Sequence, residues 1–189
     1  MPEAVRAQLY LTLDIGQADR LEALLASTRP ACVRLSVADA TAQEAAATCR
    51  ALCHEREIAL LIAGPDDIAV AMAGAVGADG VHLTNAPKAV PWVRGELGET
   101  VIVGIDPGPS RHDAMIAADS GADYVSLAPD WEGEAVPAEI SWWAAMIETP
   151  MVVENADTPG RAKALRGLAD FVAAGAGQAE AVATALDTD

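Results

Sequence analysis

Residues 77–83 read GADGVHL, residues 121–129 read GADYVSLAP and residues 168–177 read LADFVAAGAG. Each stretch runs from a small or apolar residue through Ala-Asp into a short β-rich segment. The distance from one copy to the next leaves room for two strand-and-helix units, so the chain repeats a supersecondary element.

Working outward from these copies, eight candidate strands emerge: QLYLTLD (8–14), ACVRLSV (31–37), IALLIA (58–63), DGVHL (79–83), TVIVGI (100–105), DYVSLA (123–128), PMVVE (150–154) and DFVAAG (170–175). Alanine-rich segments lie between them. Residues 41–55, for example, carry Ala, Leu and Cys at three- and four-residue spacing with charges on the other side, which predicts a helix. Strict alternation of buried strand and amphipathic helix means a parallel sheet covered by helices. Eight such units in 189 residues predict a short α/β (β/α)8 TIM barrel, one domain over residues 1–189. A doubly wound open sheet would place a Gly-rich phosphate loop after its first strand, and LTLDIGQADR has one glycine there.

Composition narrows the function classes. A formal net charge of −16 repels a phosphate backbone, and no cluster of Lys and Arg interrupts it, so nucleic acid is excluded as a partner. The chain is 52% hydrophobic yet has no uninterrupted apolar run near the roughly 18 residues of a membrane span. MPEAVRAQ lacks the charged and apolar regions of a secretory signal, and the expected location is the cytoplasm. Cys32, Cys49 and Cys53 have no disulfide-framework spacing. Cys49, Cys53 and His54 can be drawn as metal ligands, but no fourth ligand stands at a matching spacing, and paired thiols on one helix face read as core.

Barrel chemistry gathers where strands end. The residues there are Asp14, Arg34 and Ser36, Ala63 and Gly64, His82 and Asn85, Asp106, Asp130 and Trp131, Glu154 and Asn155, and Gly175 with Gly177. Arg34 is the clearest cation of an acidic mouth. It either anchors an anion or pairs with Asp14 or Glu154 across the barrel top. His82 reads either as a catalytic group or as a barrel-interior histidine hydrogen-bonded to a neighbour. Ser110 is placed to cap the helix that follows the fifth strand, with Asp113 three residues on, which makes His112 a solvated first-turn residue. Asp66 and Asp67 read as first-turn helix acids.

From LYLTLD through RLS, ADGVHL and GADYVSLAP to the last strand, the chain resembles the thiamine phosphate synthase family, including its thiazole tautomerase relatives. The resemblance implies a magnesium-assisted reaction in which a pyrimidine methyl diphosphate loses diphosphate and is captured by a thiazole phosphate. It also implies residue roles, and several motif positions differ. At the second strand, where the family has Q-L-R-x-K, CVRLS keeps Arg34 but has Cys32 and Ser36. At the third, LLIAGPDD has Ala63 and Gly64 where the family has Asn-Asp, a magnesium ligand. After the fourth, HLTNAP keeps His82 and Leu83, has Asn85 in the loop, and ends on Pro87 where the second magnesium ligand stands.

APDWEGEAVP keeps Pro129 and an aromatic at Trp131, but Asp130, Glu132 and Glu134 stand where an anion is met and no lysine follows. The phosphate-binding glycine turn falls on ENAD, with Glu154 leading it, while glycine returns at Gly175 and Gly177 before the last helix, where a helix N-terminus could bind a phosphate. The tautomerase branch implies proton transfer by His112, aligned through Ser110 with one gap.

The family role is thus synthesis of thiamine phosphate, a transferase reaction. The replaced motif positions argue against synthase activity. The alternatives are a thiazole tautomerase-like isomerase using His82 or His112, and a catalytically inactive homologue that binds a ligand or a protein. No cofactor is required by the residues alone. Magnesium belongs to the synthase reading, and Asp106 and Asp130 are the residues that could rebuild its site. The expected partner is a small phosphate-bearing or thiazole ligand, bound near Arg34, Asn85, Trp131, Gly175 and Gly177, and exposed barrel faces permit a homodimer.

Overall fold

The strands sort their side chains between two apolar layers, as period-two alternation requires. In β1 (Gln8–Asp14), Leu9, Leu11 and Leu13 face the helices and Tyr10 faces inward. The same division runs through β2 (Cys32–Ser36), β3 (Ala59–Ala63), β4 (Gly80–Thr84), β5 (Ile102–Asp106), β6 (Tyr124–Leu127), β7 (Met151–Val153) and β8 (Phe171–Gly175). Val33, Leu60, Ile62, Val81, Leu83, Val103, Val125, Val153 and Val172 join the outer core. Leu61, Tyr124, Val152 and Ala173 join Tyr10 within the barrel, with Cys32, Ile102 and Phe171 packed against them.

The computed structural model describes residues 6–133 and 135–188. All eight strands are parallel and close in chain order, β8 pairing back onto β1. Around them lie α1 (Leu21–Thr28), α2 (Gln43–His54), α3 (Asp66–Val76), α4 (Val90–Leu97), α5 (Arg111–Asp119), α6 (Ala138–Met146), α7 (Pro159–Ala164) and α8 (Ala179–Asp187). The chain is therefore a single-domain (β/α)8 barrel, with strands at nearly the bounds expected from periodicity. No helix among the described residues is long and apolar enough to cross a membrane. Cys49 and Cys53 are buried in the outer core on α2, and all three cysteines are free thiols.

The repeated Ala-Asp has a structural cause. Each aspartate stands just before an even-numbered strand and accepts a backbone amide of the strand before it. Asp79 takes Leu60 N at 2.8 Å, Asp123 takes Val103 N at 2.7 Å and Asp170 takes Met151 N at 2.9 Å. In the first two copies an arginine from the helix before that earlier strand completes the joint. Arg50 of α2 donates to Gly77 O and Asp79, and Arg94 of α4 donates to Gly121 O and Asp123. The repeat is thus a clamp at the strand-entry end of the barrel, opposite the end where side chains gather for chemistry.

One glycine sets the interior. A Cβ on Gly104 would strike the ring of Tyr124, so the bare backbone of β5 is what lets that phenol lie across the barrel.

Candidate functional site

Inward positions of four strands, with the residue that follows a fifth, converge on one hydrogen-bonded chain beneath the barrel mouth. Arg34, on β2, donates from Nη1 to Oε1 of Glu154 at 2.7 Å and from Nη2 to Oε2 at 3.4 Å. Glu154 directly follows β7, and its Oε1 also accepts from Ser126 Oγ of β6 at 2.7 Å. Nη1 of Arg34 lies 3.1 Å from Nε2 of His82 on β4, and His82 Nδ1 lies 2.8 Å from the Tyr124 hydroxyl. That hydroxyl meets the Tyr10 hydroxyl at 2.6 Å, and the Arg34 guanidinium stands 5.5 Å from the Tyr10 ring centre.

Burial decides the protonation states along the chain. Burial pushes the His82 imidazole well below its ordinary pKa, and the neighbouring Arg34 charge pushes it further in the same direction. Burial also opposes the charge on Arg34, but the Glu154 carboxylate, with the phenol of Tyr10, more than offsets this and raises its pKa. Burial is also the main cause that raises both phenols above their ordinary range, and it pushes the Cys32 thiol up to about 12. The chain is one ion pair at the mouth with neutral groups below it.

The other candidate residues are dispersed. Asp14 accepts from Gly16 N at 2.8 Å and Asp106 accepts from Gly108 N at 2.8 Å, each closing its own turn. Asn85 holds a left-handed backbone at φ 53° and donates its N–H to Asp106 O. Asp66 and Asp67 lie in the first turn of α3, with Asp66 Oδ1 3.5 Å from Thr84 N. Asp130 is exposed in the loop after β6, and Glu134 falls outside the described residues. Among the described residues, no group of three or more His, Cys, Asp or Glu could hold a metal ion.

His112 is exposed on the first turn of α5, where Ser110 Oγ accepts from Asp113 N at 3.2 Å. Trp131 packs partly buried against the outer core, with the Arg161 guanidinium 5.3 Å from its ring centre. Arg161 also donates to Gly133 O and Asn155 O, tying the loops after β6 and β7 together. Asn155 takes the left-handed backbone, φ 59°, at the turn where the resemblance implies glycine. Gly175 ends β8 and Gly177 lies in the turn entering α8, whose N-cap residue Gln178 makes no side-chain cap.

The structure thus brings Arg34, His82 and Glu154 into one hydrogen-bonded chain, and none of its bonds is made by His112, Asp130 or Trp131. Sequence reasoning missed Tyr10, Tyr124 and Ser126. Their signal was a polar atom at the inward-facing positions of strands β1 and β6.

A closed eight-stranded parallel barrel with a polar group of side chains under its strand ends belongs to the TIM-barrel class. Tryptophan synthase from Mycobacterium tuberculosis shares this fold, with a TM-score of 0.71 at 14% identity, over 98% of this chain and 95% of that one. The family described as thiamine monophosphate synthase matches residues 16–174, and the chain belongs to that family. It is 33% identical to thiamine-phosphate synthase of Rhodospirillum centenum over 183 residues, 91% of this chain and 81% of that protein. Identity to thiamine-phosphate synthase of Erythrobacter litoralis is 30% over 134 residues, 66% of this chain and 61% of that protein.

Proposed function

We propose that this member of the family keeps the barrel and binds a small phosphate-bearing ligand without coupling a pyrimidine diphosphate to a thiazole phosphate. The observation that carries this reading is the Arg34–Glu154 pair. The inward-facing cation of the mouth is held by a carboxylate of the same chain at 2.7 Å. A diphosphate arriving there would meet a neutralised guanidinium and a competing negative charge.

The donor set points the same way for magnesium. Pro87 has no oxygen to offer in its side chain, Asp106 is engaged with Gly108 N, and Asp66 lies against the Thr84 amide. These residues do not fit a hard divalent cation, which takes about six oxygen ligands. Proton transfer is supported no better. Both ring nitrogens of His82 lie within hydrogen-bond distance of protein groups, and His112 is on an exposed helical turn.

For the phosphate end of a ligand, the turn Gly175 to Gln178 and the uncapped start of α8 offer backbone N–H groups and the positive end of a helix dipole. Calorimetric titration with thiazole phosphate and with thiamine phosphate, each with and without magnesium, tests the reading. Binding heats that do not depend on magnesium are expected. Binding that requires magnesium would return the protein to the synthase reading.

A further inference from the structure

The hydrogen-bonded chain inside the barrel carries one proton more than it has acceptors. Arg34 has only donors to offer, so its 3.1 Å contact leaves Nε2 of His82 as the acceptor. The neutral imidazole therefore carries its proton on Nδ1 and donates it to the Tyr124 hydroxyl. Tyr124 and Tyr10 then share a single contact at 2.6 Å. Whichever hydroxyl donates across it, the proton of the other meets no acceptor among the described residues.

Ionising one phenol would remove the surplus, but the site opposes it, since burial is the largest cause raising both tyrosines. Leaving a buried hydroxyl unmet is costly, and native interiors meet such groups with protein or with water. The register partners beside Tyr10 are small residues. They are Cys32 on β2 and Ala173 on β8, both much smaller than the phenol in an interior that side chains otherwise fill. Tyr10 is 1% exposed, so no larger guest reaches it from solvent.

We propose that the barrel interior beside Tyr10 and Tyr124 is a binding site for one water molecule, which accepts the surplus phenolic proton. The Cys32 thiol, on the strand next to Tyr10, offers a second polar contact. The site lies below the mouth and is separate from the proposed ligand site at α8.

Two measurements on the whole wild-type protein decide it. A high-resolution crystal map should show an ordered water within hydrogen-bond distance of the Tyr10 or Tyr124 hydroxyl. A map that resolves ordered waters elsewhere but none there would overturn the proposal. Nitrogen-15 spectra of the imidazole should show His82 protonated on Nδ1 and bare on Nε2. The opposite tautomer would also overturn it, because the proton count would no longer hold.

Discussion

Nη1 of Arg34 lies 2.7 Å from Oε1 of Glu154, a contact that joins β2 to the end of β7 across the top of the barrel. Both side chains are largely withdrawn from water, at 16% and 19% exposure. Each would be left as an isolated charge in a poorly solvated place without the other.

Removing one partner should therefore cost more than a surface ion pair does. Glu154→Gln keeps the shape and an acceptor for Ser126 but takes away the charge, and a loss of about 2 kcal/mol in urea unfolding is expected. Arg34→Met should cost a similar amount, and the double variant should cost less than the sum. Strict additivity would mean that the two residues do not interact.

His82 should make stability depend on pH in one direction. Its folded pKa is depressed, by burial first and then by Arg34, whereas the unfolded imidazole titrates near its ordinary 6.5. Above 6.5 both states are neutral at this residue and the stabilising arrangement is fully present. As pH falls below 6.5, the unfolded chain takes a proton that the folded chain refuses. Stability should drop by at most about 1.4 kcal/mol per pH unit from this group until the folded pKa is reached. His82→Gln should flatten that part of the stability profile, and an unchanged slope would contradict the assignment.

The strand-entry aspartates should matter in proportion to what they hold. Asp123→Ala removes acceptors for Val103 N and for Arg94, and Asp79→Ala does the same to Leu60 N and Arg50. Each loss should be about 1–3 kcal/mol, as expected when a partly buried backbone donor is left unpaired. The Asn variants, which retain an oxygen, should lose less, as thermal or urea unfolding will show.

The thiols should be slow to react. Burial raises Cys32 and Cys53 to about 12 and raises Cys49 as well, so little thiolate exists near neutral pH. Alkylation by iodoacetamide at pH 8 should be much slower for the native protein than for the unfolded chain. Equal rates would contradict the burial of these side chains.

Much of this fold was legible in the sequence because a parallel barrel writes its periods locally. Val33 and Leu35 alternate with Cys32, Arg34 and Ser36 within five residues, and the outer core follows from that alternation alone. The cap of Ser110 on Asp113 was readable for the same reason, since cap and partner are three residues apart. The Ala-Asp repeat marked where strands begin, but the reason for the aspartate was not visible, because the amide that it accepts belongs to the preceding strand.

The site was less legible because its contacts cross the barrel. Arg34 could be foreseen as an anion anchor or as a partner of Asp14 or Glu154, and local pattern does not choose among these. The choice depends on closure, which brings Glu154 and Ser126 across from β2, while Asp14 turns to Gly16 N. Tyr10 and Tyr124 read from local pattern as ordinary strand residues. They meet because Gly104 leaves space for a ring.

The most direct test of the account is to incubate the purified protein with the pyrimidine methyl diphosphate, thiazole phosphate and magnesium, and to measure thiamine phosphate. With Arg34 held by Glu154, and no group of His, Cys, Asp or Glu among the described residues that could hold a metal ion, none should form above the background of a protein-free control. Sustained formation of thiamine phosphate, abolished by Arg34→Met, would show that Arg34 does serve a diphosphate and would contradict the account.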